Sequence, residues 1–198
     1  MSFSNLSLMR EARSAMAPHW GIGVVVTFVY LIFVGSTTYI FPGLQNLIPF
    51  ILTGPFTLGF AYFSFAISRG ETPEFKQLFE GFQVFVKSFL AYLIYSILCV
   101  IGFVLFIIPG FIVVAGFGLT FYVMADHPEL SFTECLNESW RLMDGRKLKF
   151  IGLTLRFIPW YLLGILCLGV GVLLVIPWHY VAMAKFYEQV KGEARYKA

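Results

Sequence analysis

Residues Ser88–Ala125 read SFLAYLIYSILCVIGFVLFIIPGFIVVAGFGLTFYVMA, and none of these 38 positions is Asp, Glu, Lys or Arg. One membrane crossing takes about 20 apolar residues. As a single straight helix the run would be about 57 Å long at a rise of 1.5 Å per residue. The hydrocarbon core of a bilayer is only roughly 30 Å thick. The run therefore reads as two helices folded back on each other. Trp20–Ser68, 49 residues without a charge, and Phe150–Ala184, 35 residues interrupted only by Arg156, have the same form.

Each stretch contains turn formers. Phe41-Pro42-Gly43 can close the first pair, Gly102 to Gly110 with Ile108-Pro109-Gly110 the second, and Gly164 to Gly171 the third. The expected fold is an all-α, polytopic transmembrane bundle in one domain, residues 1–198. Its six spans, arranged as three hairpins, cover roughly 20–41, 44–68, 86–104, 107–126, 148–165 and 169–188.

Composition and charge agree. Hydrophobic residues make up 59% of the chain and charged residues 13%. A soluble domain carries roughly 25% charged residues to clothe its surface, so half that number suits a protein solvated by lipid. The 14 Lys and Arg fall at the N-terminus and in 69–87, 141–156 and 185–197. Three hairpins put all four regions on one side and leave the other side free of charge. The positive-inside rule makes the basic side cytoplasmic, with both termini on it. No cleavable leader is read in residues 1–19, because the small residues Ala15 and Ala17 precede the apolar run.

The linkers carry helix signals of their own. Ser131-Phe132-Thr133-Glu134 fits a capping box. Beyond it Cys135, Leu136, Trp140 and Met143 form an apolar stripe up to Gly145. Thr72 and Pro73 can start a helix with Phe75, Leu78, Phe79 and Phe82 on one side. Residues 7–17 place Leu8, Ala12, Ala15 and Met16 together. Amphipathic helices over 7–17, 72–83 and 131–144 are expected along the cytoplasmic interface.

A weak threefold repeat is legible. Leu98-Cys99 precedes Pro109 by the spacing at which Leu166-Cys167 precedes Pro177, and Pro55 is a third member. Prolines 55, 109 and 177 are candidate hinges or kinks, since broken membrane helices free backbone groups for ligands. A turn or kink proline satisfied by its neighbours is the plainer reading. Arg156 is the one charge within a span, placed either to snorkel to headgroups or to contact an anion or lipid. His179, after Pro177-Trp178, is either a packed neutral imidazole or a ligand contact, and Trp178 joins it as a candidate lipid contact.

Enzyme signatures are missing: there is no GxSxG, Walker loop, HExxH or CxxC, and no catalytic, cofactor or metal residue is assigned. The basic residues are too few and dispersed for nucleic acid. Cys99, Cys135 and Cys167 form no disulfide or zinc pattern.

Gly54-Pro55 through Gly59, Arg69-Gly70-Glu71, Leu78-Phe79-x-Gly81-Phe82, Ile108-Pro109-Gly110, Ser139-x-x-x-Met143-x-Gly145, Trp160, Gly169, Pro177 and Phe186-Tyr187 recur in order. This set, from about residue 8 to residue 190, resembles the bacterial integral membrane proteins of domain-of-unknown-function family 975. That family often has Pro-Tyr where this chain has Pro177-Trp178. The resemblance implies a multi-pass protein of the bacterial cytoplasmic membrane and no established reaction. The expectation is a non-enzymatic protein that binds lipid, a membrane-protein partner or a second copy of itself. A small transporter or channel built on proline-broken helices is the alternative.

Overall fold

A backbone in hydrocarbon has no water to bond, so its amides and carbonyls must pair within the segment, which selects helices. The computed structural model describes residues 4–40, 43 and 46–197. Its helices are α1 (Asn5–Met16), α2 (Trp20–Ile40), α3 (Leu47–Ser68), α4 (Gln77–Glu80), α5 (Phe85–Leu105), α6 (Ile107–Phe117), α7 (Thr120–Asp126), α8 (Phe132–Leu142), α9 (Lys147–Leu166) and α10 (Val172–Lys197). Short 3-10 turns join α1 to α2 at Ala17–His19 and α4 to α5 at Gly81–Val84. Among the described residues there is no strand.

Among the described residues, five helical segments are long and apolar enough to cross a membrane: Asn5–Ser36, Leu47–Ser68, Gln77–Leu105, Ile107–Asp126 and Lys147–Leu166. Residues 169–188, expected as the sixth span, are not among them. They fall mostly in α10, whose second half carries Lys185, Glu188, Lys191 and Glu193.

Two apolar runs do fold back. A single extended residue, Phe106, separates α5 from α6 (φ −167°, ψ 159°). A Cβ added to Gly102 would lie 3.1 Å from the Gly110 Cα, so the two helices touch backbone to backbone there. The reversal thus comes before Ile108-Pro109-Gly110, not within it. Pro109 stands in the first turn of α6, where a missing N–H leaves no bond unmade. Between α9 and α10, Leu168 and Gly169 take positive φ (56° and 80°), and Gly164 meets Gly171 at comparably short range. Of the first expected turn, Phe41 and Pro42 lie outside the described residues.

The linker segments differ in detail. In place of a helix over 72–83, only Gln77–Glu80 is α-helical, followed by the 3-10 turn. Thr72 caps no helix among the described residues; instead the Glu74 amide donates to the Gln77 side chain at 3.0 Å. Close packing explains the short element. A Cβ on Gly59 of α3 would lie 2.0 Å from the Leu78 carbonyl oxygen, and one on Gly81 would lie 2.0 Å from that of Pro55. The chain around α4 is therefore pressed onto α3 through two glycines. The capping box on α8 is formed, with Glu134 N donating to Ser131 Oγ and Ser131 N to Glu134 Oε2. On α1, Leu8, Ala12 and Met16 are fully buried.

The core gathers around α3 and α10, with Phe56, Phe60 and Phe63 meeting Val181, Phe186 and Tyr187 in one buried cluster. Outside it the surface is oily. Val104, Phe106, Ile108, Leu166, Leu168 and Val170, at the tips of the α5–α6 and α9–α10 pairs, are all more than half exposed. Apolar patches of this kind mark contact with membrane or partner.

Candidate ligand cavity

The middle of α10 carries the residues that shape the interior. The helix continues through Pro177, whose ring packs near Gly23 of α2, where a Cβ would lie 3.3 Å from it. Trp178 turns toward α1 and donates its indole N–H to the Met9 carbonyl at 3.0 Å. It also meets Phe157 and Trp160 edge to face. Trp178 is thus a peg between α10 and α1. His179, one residue on, stacks on the same Phe157 ring at 4.5 Å between ring centres.

His179 borders a partly open cavity of about 530 Å³ where α2, α3, α5, α6, α7, α9 and α10 converge. Tyr30, Tyr92, Tyr95, Tyr122, Tyr161 and Tyr180 all line it. Thr57 and Thr154 add hydroxyls, and among the described residues no Asp, Glu, Lys or Arg contributes to the wall. Several polar groups are already engaged. Thr57 Oγ1 donates to the Thr53 carbonyl at 2.7 Å, Thr154 Oγ1 to that of Phe150 at 3.1 Å, and Tyr122 OH to that of Tyr180 at 3.1 Å. The Tyr161 hydroxyl is 3.1 Å from His179 Nδ1. The other imidazole nitrogen, Nε2, is buried and makes no hydrogen bond among the described residues.

The remaining candidates stand apart. Arg156 is exposed on α9, while its neighbour Phe157 is fully buried against His179, and Arg156 does not line the cavity. Pro55 lies inside α3 without ending it. The repeat is unequal in space: Cys99 lies within α5, whereas Cys167 follows the end of α9.

A charged cluster at the basic end was not foreseen. Asp126, ending α7, accepts hydrogen bonds from Arg69 Nη2 (2.6 Å), Tyr187 OH (2.9 Å) and Lys191 Nζ. Glu188 accepts from Ser68 Oγ at 2.8 Å and Arg69 Nε at 2.9 Å. His127 lies 2.9 Å from Glu129 and 3.1 Å from Lys191 Nζ. Burial works against the Arg69 charge, but its hydrogen bonds to Asp126 and Glu188 outweigh that and raise its pKa. The cluster ties the ends of α3, α7 and α10 together. The signal for it was available: each of these three runs ends in charges of complementary sign.

The family model described as Protein of unknown function (DUF975) matches residues 97–194. The match takes in Ile108-Pro109-Gly110, Ser139, Met143, Gly145, Pro177 and Phe186-Tyr187, and stops short of the glycine clamp between α3 and α4. No curated protein and no solved structure matches the chain. Over residues 97–194, about half of its length, the chain is similar to the DUF975 family of proteins of unknown function.

Proposed function

We propose that this is a multi-pass protein of the bacterial cytoplasmic membrane that crosses the bilayer six times as three hairpins, termini inside, and holds a membrane-derived ligand within its bundle. The observation that carries the reading is the aromatic cavity of about 530 Å³ beside His179. Binding sites are concave, mostly apolar and furnished with a few convergent polar groups, and sites of roughly 300–1,000 Å³ are usual. The cavity also sits at the right depth. His179 is six residues before Lys185, about 9 Å by helical rise, so the basic end reaches headgroups while the imidazole stays in the interior. Six crossings are supported by the charge-free, exposed tips at Phe106 and Leu168.

The role proposed is binding, not catalysis, since the cavity wall lacks a charged acid, base or nucleophile pair. The test is purification with and without added lipid. Co-purified lipid, identified by mass spectrometry, and a higher melting temperature on lipid addition are expected. A protein that retains no lipid and is unmoved by its return contradicts the proposal. The cavity's partial opening favours one second reading, a small transporter. Uptake of a bound compound into sealed vesicles containing the protein, against empty vesicles, separates transport from static binding.

A further inference from the structure

The chemistry of the cavity narrows the ligand, granted the reading that the bundle holds one. Its wall has no charged side chain. Burying an ion there without a partner would cost several kcal/mol, so the occupant is uncharged. The wall is also rich in flat rings, six of them tyrosines, with Phe117, Phe121 and Phe150 beside them. Rings prefer to pack on rings, offset or edge to face. A flat conjugated head fits such a lining better than a bare chain.

The polar groups then say what the head carries. Thr57, Thr154 and Tyr122 give their hydroxyl protons to backbone carbonyls. Tyr30 and Tyr92 line the cavity with hydroxyls that bond no described residue. His179 lines the same wall; its Nε2 is buried and makes no hydrogen bond among the described residues, and its Nδ1 is engaged by Tyr161. When the Tyr161 hydroxyl donates to Nδ1, Nε2 carries the imidazole proton and needs an acceptor. A buried donor left unmet costs about 1–3 kcal/mol. Phenolic O–H groups and an N–H around a neutral aromatic space call for carbonyl oxygens on a ring.

We infer that the cavity binds an uncharged, lipid-soluble ring bearing carbonyl groups, of the quinone class, with His179 Nε2 donating to one carbonyl and tyrosine hydroxyls completing the set. The head lies among the rings, and its apolar tail leaves through the open side of the cavity.

The experiment is calorimetric titration of the full chain in detergent with a decyl-substituted benzoquinone. Decylbenzene, which keeps ring and tail but has no oxygen, and decanol, which has an oxygen but no ring, are the comparison probes. The quinone is expected to bind saturably, with both comparison probes at least roughly tenfold weaker. His179→Phe keeps a flat ring and removes the donor, and is expected to weaken the quinone by roughly tenfold, the scale of one buried hydrogen bond. Tyr30→Phe removes a hydroxyl with little change of shape and gives an independent loss of roughly threefold, should the histidine variant fail to fold. Equal binding of decylbenzene or decanol, or folded variants that bind quinone unchanged, overturns the ligand class but leaves the membrane-ligand reading standing. Failure of all three probes, in a protein that also retains no lipid on purification, overturns both.

Discussion

Gly59→Ala tests the packing that sets α4 against α3. The new Cβ would lie 2.0 Å from the Leu78 carbonyl oxygen, 2.6 Å from its carbon and 3.0 Å from the Leu78 Cα. Ordinary contact begins near 3.4 Å, so the shortfall against the oxygen is 1.4 Å. All three atoms are backbone, and no side chain can rotate to make room. Overpacking of this kind costs about 1–3 kcal/mol, and a rigid neighbour puts it at the upper end. Alanine returns about 1 kcal/mol of helix preference over glycine. The net loss is about 2 kcal/mol, which for a chain of this size lowers Tm by roughly 4–8 °C. Gly192→Ala is the control, because nothing lies within 4 Å of its Cβ position in α10. Thermal denaturation in detergent, followed by size-exclusion recovery, reads both. A Gly59→Ala protein as stable as Gly192→Ala would refute the close approach of α4 to α3.

Asp126→Asn should cost about 2 kcal/mol, seen as a lower Tm. The Asp126 side chain is only 9% exposed and answers Arg69 and Lys191 at once. Breaking a fully buried pair costs about 3–5 kcal/mol, and the 39% exposure of Arg69 reduces that; an unchanged Tm would show the cluster to be ornamental. Ser131→Ala should cost about 1 kcal/mol through loss of the α8 cap, and equal melting of variant and parent would count against the cap. The Ser131 amide, and then its hydroxyl, hold the Glu134 pKa below the usual Glu range. Its contribution is therefore complete above that range and disappears as pH falls through the depressed value. Glu134→Gln should match the parent in acid and melt below it at neutral pH, and a pH-independent difference would contradict the assignment.

That the chain is all-α with several long apolar helices could be read directly, because hydrocarbon permits few alternatives. The α8 cap was legible for a similar reason: Ser131 and Glu134 act on amides only three residues away. The failure at 72–83 has the opposite origin. Thr72 and Pro73 are sound local start signals, but contacts with α3 through Gly59 and Gly81 decide that segment's shape. The reversal at Phe106 falls within the expected turn segment Gly102 to Gly110 but ahead of its Pro109, because apolar residues on both sides gave no mark of where the helix breaks. His179 could be singled out as a polar group in an apolar run, and Trp178 with it, yet their divergence, one to α1 and one to the cavity, depends on helical phase against neighbours. The tyrosines were invisible as a set. They come from five different helices, and only the packed bundle brings them to one wall.

Crossing number and sidedness bear on every functional statement, and paired cysteine labelling reads both. Val170→Cys, 64% exposed in the parent at the α9–α10 turn, and Glu71→Cys, in the exposed linker after α3, are placed singly in a chain freed of Cys99, Cys135 and Cys167. Intact cells are treated with a membrane-impermeant maleimide. The account predicts labelling at 170 in intact cells and at 71 only after permeabilisation. Equal reactivity at both positions in intact cells, or the reverse pattern, would contradict it.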